Sequence, residues 1–175
     1  SLYGCCTGGI VASIAKNFPC INFYGFDVEE KFISFARQQF HSANLQFTSD
    51  VSALSSNPKN DLVYSIDVLH HIDPYDIALQ QVSQSLNKTG HWLLIEPNSR
   101  NFYINLLQRR PHETNFVPHR FIMKSAAHHM AFVSKTYMHL WPSFLHKVSP
   151  FLVTLECQLE KNSVIGGSVV LDMRS

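Results

Sequence analysis

A chain of 175 residues, 45% hydrophobic and 12% aromatic, is long enough for one domain with a substantial core, and this composition fits a folded globular chain and argues against a disordered one. Its 14 Lys and Arg against 13 Asp and Glu leave a formal net charge of +1, which gives no global field favouring DNA or an anionic membrane, although a local patch can hide in a neutral sum. No run approaches the roughly 18 apolar residues of a membrane span, the N-terminus lacks a secretion signal, and Cys5, Cys6, Cys20 and Cys157 follow neither zinc nor disulfide spacing, so a reducing cytoplasm is the expected compartment.

The chain opens inside what reads as a strand, so the first strand is expected to be truncated. The turn Tyr3-Gly4-Cys5-Cys6-Thr7-Gly8-Gly9 follows, and Ile10, Ile14 and Phe18 then keep helical spacing up to Pro19. A glycine-bearing turn that opens a helix brings bare backbone close to a ligand. Ile21 to Asp27 reads as a short buried strand ending in a carboxylate, and Val28, Phe32, Phe35, Ala36 and Phe40 share one helical face. Leu45 to Thr48 is the next strand, ending in Ser49-Asp50, and 55–60 is a loop by composition.

Asp61 to Ile66 forms another strand, and Asp73-Pro74 opens a helix with Asp as cap and Pro at the first helical position. Ile77, Ala78, Val82 and Leu86 would supply its buried face, with Gly90 just past its end. His91 to Pro97 is a strand carrying Glu96. Residues 97–120 mix polar and basic side chains with aromatics, among them Arg100, Phe102, Tyr103, Arg109, Arg110, Phe116 and His119. This is either a lid or insertion over a site, or a surface helix near Phe102 to Leu107 with a loop. A helix near Lys124 to Met130, a strand at Ser134 to Leu140, a helical stretch near Pro150 to Leu159 and a terminal strand at Ser168 to Met173 complete the pattern. No internal repeat or boundary divides the chain, so 1–175 is read as a single domain.

Strands alternating with helices imply parallel pairing through right-handed crossovers, with helices on both sheet faces. The expected fold is α/β, doubly wound and three-layered, with a mostly parallel sheet between two layers of helices. Ligands of such sheets bind outside the carboxyl ends of the strands, so Asp27, Asp50, Asp67 and Glu96 are expected around one crevice.

In their order along the chain, these segments resemble a class I S-adenosylmethionine-dependent methyltransferase acting on small molecules, and the resemblance implies a Rossmann-like, three-layer α/β/α domain with a seven-stranded, mostly parallel sheet whose last strand is antiparallel. Gly4-Cys5-Cys6-Thr7-Gly8 stands where that family has a G-x-G-x-G loop, Asp27 ends the second strand and Ser49-Asp50 the third. Asp61 to Ile72 is similar to the family's fourth-strand signature, and Gly90 to Pro97 to its fifth. The resemblance implies S-adenosyl-L-methionine as cofactor, held by Gly4, Cys6, Thr7, Gly8, Asp27, Val28, Asp50, Val51, Ser65 and Asp67. Asp27 would accept from the ribose hydroxyls, or cap the Val28 helix, or both. Asp50 would accept from the adenine amine with Val51 against the ring, or cap a loop. Asp67 would border the amino acid part or cap a turn. His70 and His71 are the catalytic candidates, as base or in orienting the acceptor, or else shape the pocket.

Two positions depart from the family pattern. Leu2 stands where an acidic residue is usual, and Cys6 replaces the middle glycine, where its side chain is expected to crowd the cofactor. A nicotinamide dehydrogenase is a rival, but G-x-G-x-x-G fails because Cys6 falls at its second glycine. A methyltransferase-like binding or partner subunit without catalysis stays open. The expected partner is a small-molecule methyl acceptor, with room for a homodimer; nucleic acid is not expected despite Arg109-Arg110. The pairs His70-His71 and His128-His129 raise a metal site, which is not expected because adjacent side chains diverge.

Overall fold

A computed structural model describes residues 1–55, 59–101, 119–138, 162–164 and 166–175. The expected helix at Pro150 to Leu159 and most of the lid or insertion of 97–120 lie outside these residues. The described strands are β1 (Leu2–Tyr3), β2 (Phe23–Phe26), β3 (Leu45–Thr48), β4 (Asn60–Ile66), β5 (Leu86–Pro97), β6 (Ala131–Met138) and β7 (Ser168–Arg174). The helices are α1 (Gly9–Asn17), α2 (Glu30–Gln39), α3 (Asp76–Ser85) and α4 (His119–Ala126), with 3-10 turns at Val51–Ser55 and Leu69–His71.

The strands form one seven-stranded sheet in the order β3-β2-β1-β4-β5-β7-β6. Neighbours from β3 to β5 run parallel, whereas β7 is antiparallel to both β5 and β6. The mostly parallel sheet with an antiparallel last strand expected from the sequence is therefore what forms.

Successive strand residues point to opposite faces, and this parity divides the core in two. Leu2, Leu45 and Phe47 face one side, where Val11 and Ala15 of α1 and Ile33 and Ala36 of α2 cover them. Tyr3, Phe26, Val63, Trp92, Leu94 and Leu171 face the other, under Ala78, Leu79 and Val82 of α3 and Ile122 and Ala126 of α4. Helices thus lie on both faces of the sheet, as the strand-helix alternation implies.

Several local expectations shift. Val28 precedes α2 instead of lying on its buried face and is 74% exposed; Phe35 is also exposed, and Ile33 takes the central buried position. The Asp73-Pro74 bond is cis and lies ahead of α3, whose N-cap is Tyr75. Ile77 is exposed while Leu79 is buried. Leu86 and Gly90 belong to β5, not to a helix end, because β5 starts directly after α3 and lies close on β4. A Cβ at residue 90 would stand 2.8 Å from the Asn60 carbonyl oxygen. α4 and β6 each begin a few residues before their expected positions.

Candidate active site

The strand order reverses between β1 and β4, and the crevice outside their carboxyl ends is where an open α/β sheet takes its ligand. Register brings the strand ends to one edge. Tyr3 lies opposite Phe26, Phe26 opposite Thr48, and Ile66 opposite Ile95, so Gly4, Asp27, Ser49 and Asp67 leave the sheet at nearly the same level, beside Glu96 near the end of β5.

The turn after β1 is held from β2. The Gly4 and Cys5 N–H groups both donate to the Phe26 carbonyl at 2.8 Å, and the Cys6 N–H donates to Asp27 Oδ2 at 2.8 Å. Gly4 and Gly8 have φ of +78° and +80°, a region open to glycine at little cost. Their bare Cα positions are filled by the protein itself. A Cβ at Gly4 would fall 2.8 Å from Val68 Cγ1 and closer still to Cγ2, and one at Gly8 would fall 2.6 Å from Phe47 Cε1. At both positions the space a side chain would take is filled by the protein's own packing, so glycine is required there whatever approaches the backbone. Cys6 adopts φ +48° and is exposed, a left-handed conformation that costs a side-chain-bearing residue more than glycine. Beneath it Cys5 is buried, and burial followed by the nearby Asp27 charge pushes its thiol up to about 12.

Asp27 is partly exposed at the end of β2. Besides Cys6 it accepts the Glu29 N–H on Oδ1 at 3.0 Å, and each oxygen keeps a further lone pair. This contact closes a turn ahead of α2 and is not the expected helix cap, because the N-cap of α2 is Glu29 and has no side-chain cap bond. Exposed Val28 stands next to it. Asp50, past the end of β3, accepts the Ser52 N–H and hydroxyl at 2.8 Å each and opens the Val51–Ser55 turn. Those bonds, the hydroxyl foremost, hold its carboxyl below the usual range. Val51 is exposed beside it. Two carboxylates, each followed by an exposed valine, therefore leave adjacent strands at the crevice. Thr7 is exposed just ahead of α1, whose N-cap Gly8 provides no side-chain acceptor.

From β4 the site gains Asp67, exposed with φ +54°, and the turn carrying the two histidines. Ser65 is not brought to the crevice: strand parity turns it into the core, where its hydroxyl accepts the Trp92 indole N–H at 2.9 Å. His70 is nearly buried, with Nδ1 at 2.7 Å from Glu96 Oε2, and their side chains are only 10% and 6% exposed. Glu96 Oε1 accepts the N–H groups of Val68 at 3.0 Å and Leu69 at 2.7 Å. His71 is exposed, and its ring lies 4.0 Å from that of His70. Sequence reasoning set Glu96 at the edge of the crevice but gave it no role there, and its tie to the histidine turn is what it missed. The available signal was an acid ending the strand next to β4, at the depth of the histidine turn.

Two cavities lie elsewhere. One of about 710 Å³ runs along α2 and β3, lined by Arg37, Phe40 and Phe47. Another of about 660 Å³ involves Ser1, Ile14, Ile21 and Leu62, toward the opposite ends of the strands. Among the described residues no three His, Cys, Asp or Glu side chains are grouped to hold a metal ion, and no helix is long and apolar enough to cross a membrane.

A doubly wound sheet with a glycine turn and carboxylates converging at its switch point defines the nucleotide-cofactor-binding class of α/β domains. Within that class the chain belongs to the methyltransferase domain family, whose model matches residues 3–92. A fatty-acid O-methyltransferase of Mycolicibacterium smegmatis is 28% identical over 99 residues, which is 55% of this chain and 36% of that protein, so the match spans little more than a third of the relative's length. Among solved structures, a SAM-dependent methyltransferase from Archaeoglobus fulgidus superposes with a TM-score of 0.70 at 17% identity, over 99% of this chain and 84% of the other. An O-methyltransferase from a trans-AT PKS multienzyme of Brevibacillus brevis, in complex with S-adenosyl-L-homocysteine, gives 0.65 at 19% identity, over 99% and 65%. These structural likenesses establish the fold.

Proposed function

We propose that the chain binds S-adenosylmethionine in the crevice at the β1–β4 switch and transfers its methyl group to an oxygen of a small-molecule acceptor. Family membership supports methyl transfer, and the similarity to a fatty-acid O-methyltransferase supports the acceptor class. The observation that carries the reading is Asp27: its carboxylate ties down the Cys6 N–H and retains acceptor capacity toward the crevice.

The residues fit the cofactor. Asp27 would accept from the ribose diol, Val28 and Val51 would offer apolar surface to the base, and Asp50 would accept from its amine. Thr7 and Gly8 would present the uncapped start of α1 to the amino acid part, which Asp67 would border. The cofactor supplies a methyl carbon already activated by sulfonium charge, so this chain's residues chiefly align the acceptor and exclude water. His70 and His71 stand on the acceptor side, where they orient the attacking oxygen and take its proton if it is a hydroxyl. The non-catalytic alternative rested on Leu2 and Cys6 and is not favoured. Leu2 is buried in the core of the α1–α2 face, and Cys6 keeps a left-handed turn with its N–H bound to Asp27.

Calorimetric titration with S-adenosylhomocysteine tests the reading. The parent chain binds it, and Asp27→Ala weakens binding by tenfold or more, the loss of about 1.5–3 kcal/mol for a charge-assisted bond. Absence of binding to the parent, or equal affinity of the variant, overturns the proposal.

A further inference from the structure

We infer that Glu96 is a positioning residue that fixes His70 in the Nδ1–H tautomer and locks the turn carrying both histidines against the glycine loop. The inference deepens the proposed function, on which its catalytic meaning rests. A carboxylate as buried as Glu96 is costly unless its lone pairs are used, and here three donors meet it: the Val68 and Leu69 N–H groups on Oε1 and His70 Nδ1 on Oε2. A carboxylate oxygen at 2.7 Å requires the proton on Nδ1, which makes Nε2 the acceptor nitrogen of the neutral ring. That is the tautomer able to take a proton or accept a hydrogen bond through Nε2.

The same contacts reach the cofactor loop. Val68, whose N–H is held by Glu96, fills the space left by the missing side chain of Gly4, so the histidine turn and the glycine turn are packed as one unit across the switch point. The His71 ring rests on His70, so the orientation imposed on one ring bears on the other.

A clamp serving only the backbone would work equally well with glutamine. The Gln oxygen can accept both N–H groups, and that orientation is preferred because reversing the amide exchanges two hydrogen bonds for one. Its NH2 then faces His70 Nδ1 and requires an acceptor there, so the proton moves to Nε2. Glu96→Gln therefore separates the two roles with almost no change in shape.

The test is long-range proton–nitrogen NMR of the histidine rings in the ligand-free, labelled protein at about pH 8, where unperturbed histidine is neutral, with His70 assigned by its loss in His70→Gln. The expected parent signal is the Nδ1–H tautomer, and Glu96→Gln shifts it to Nε2–H. S-adenosylhomocysteine affinity stays within about threefold, since Glu96 is not assigned a cofactor contact. A parent ring that is Nε2–H or doubly protonated overturns the inference, whether or not the variant folds, and so does an unchanged tautomer in a folded Glu96→Gln. A parent chain that fails to bind S-adenosylhomocysteine counts against the proposed function, while the NMR result judges the tautomer independently.

Discussion

Replacing Gly4 by alanine tests whether the glycine turn is shaped by packing within the protein. At φ +78° an L-residue costs about 1–2 kcal/mol relative to glycine. The added methyl also meets both methyls of Val68, whose N–H is fixed by buried Glu96, so Val68 has little freedom to withdraw. Overpacking of this kind costs about 1–3 kcal/mol. The expected loss is about 2–5 kcal/mol, and with a urea slope of about 2 kcal/mol per molar the unfolding midpoint falls by about 1–2.5 M. Val68→Ala removes the obstruction, so the Gly4→Ala/Val68→Ala pair should be more stable than additivity predicts by at least about 1 kcal/mol. A Gly4→Ala midpoint close to the parent's, or strict additivity of the pair, would refute the packing account and return Gly4 to a role in ligand approach.

Three further outcomes follow from buried groups. Cys5, Tyr3 and Tyr64 are each pushed up to about 12, principally by burial, from ordinary values of 9.0 for the thiol and 10.0 for the phenols. The unfolded chain therefore loses these protons first: their stabilisation is complete below about pH 9 and declines as pH rises toward 12. Urea midpoints measured from pH 8 to 11 should fall, and Cys5→Ala should flatten the segment just above pH 9; a flat parent profile contradicts the assignment. Alkylation at pH 8 followed by peptide mass spectrometry should label exposed Cys6 and Cys20 in the native protein and Cys5 only after unfolding. Trp92→Phe should cost about 2–4 kcal/mol in denaturant unfolding, because it leaves a void and deprives the buried Ser65 hydroxyl of its donor; adding Ser65→Ala should recover part of that loss.

Local pattern was enough to establish the alternation of strands and helices, the parallel pairing it implies and the carboxylates at strand ends, whereas the antiparallel end of the sheet followed from the family resemblance. The first three depend on near-neighbour spacing or on the twist-imposed hand of crossovers, which the chain carries residue by residue. Asp27 and Asp50 could be read this way because their partners lie nearby or on the next strand. Other features depended on residues distant in sequence meeting. Ser65 faces Trp92 because strand parity and the β4–β5 register turn it inward. Gly90 lies within a strand because β4 runs against it, although by composition it resembles a helix stop. Gly4 meets Val68, and Glu96 meets the histidine turn from 26 to 28 residues away, only once β1, β4 and β5 lie side by side. The sequence by itself determined that a glycine turn, acidic strand ends and a histidine pair would gather at one edge. Only the tertiary structure decided that the glycines clear space for Val68 and Phe47 and that Glu96 holds His70, because steric fit and a shared carboxylate arise only when separate strands are packed together.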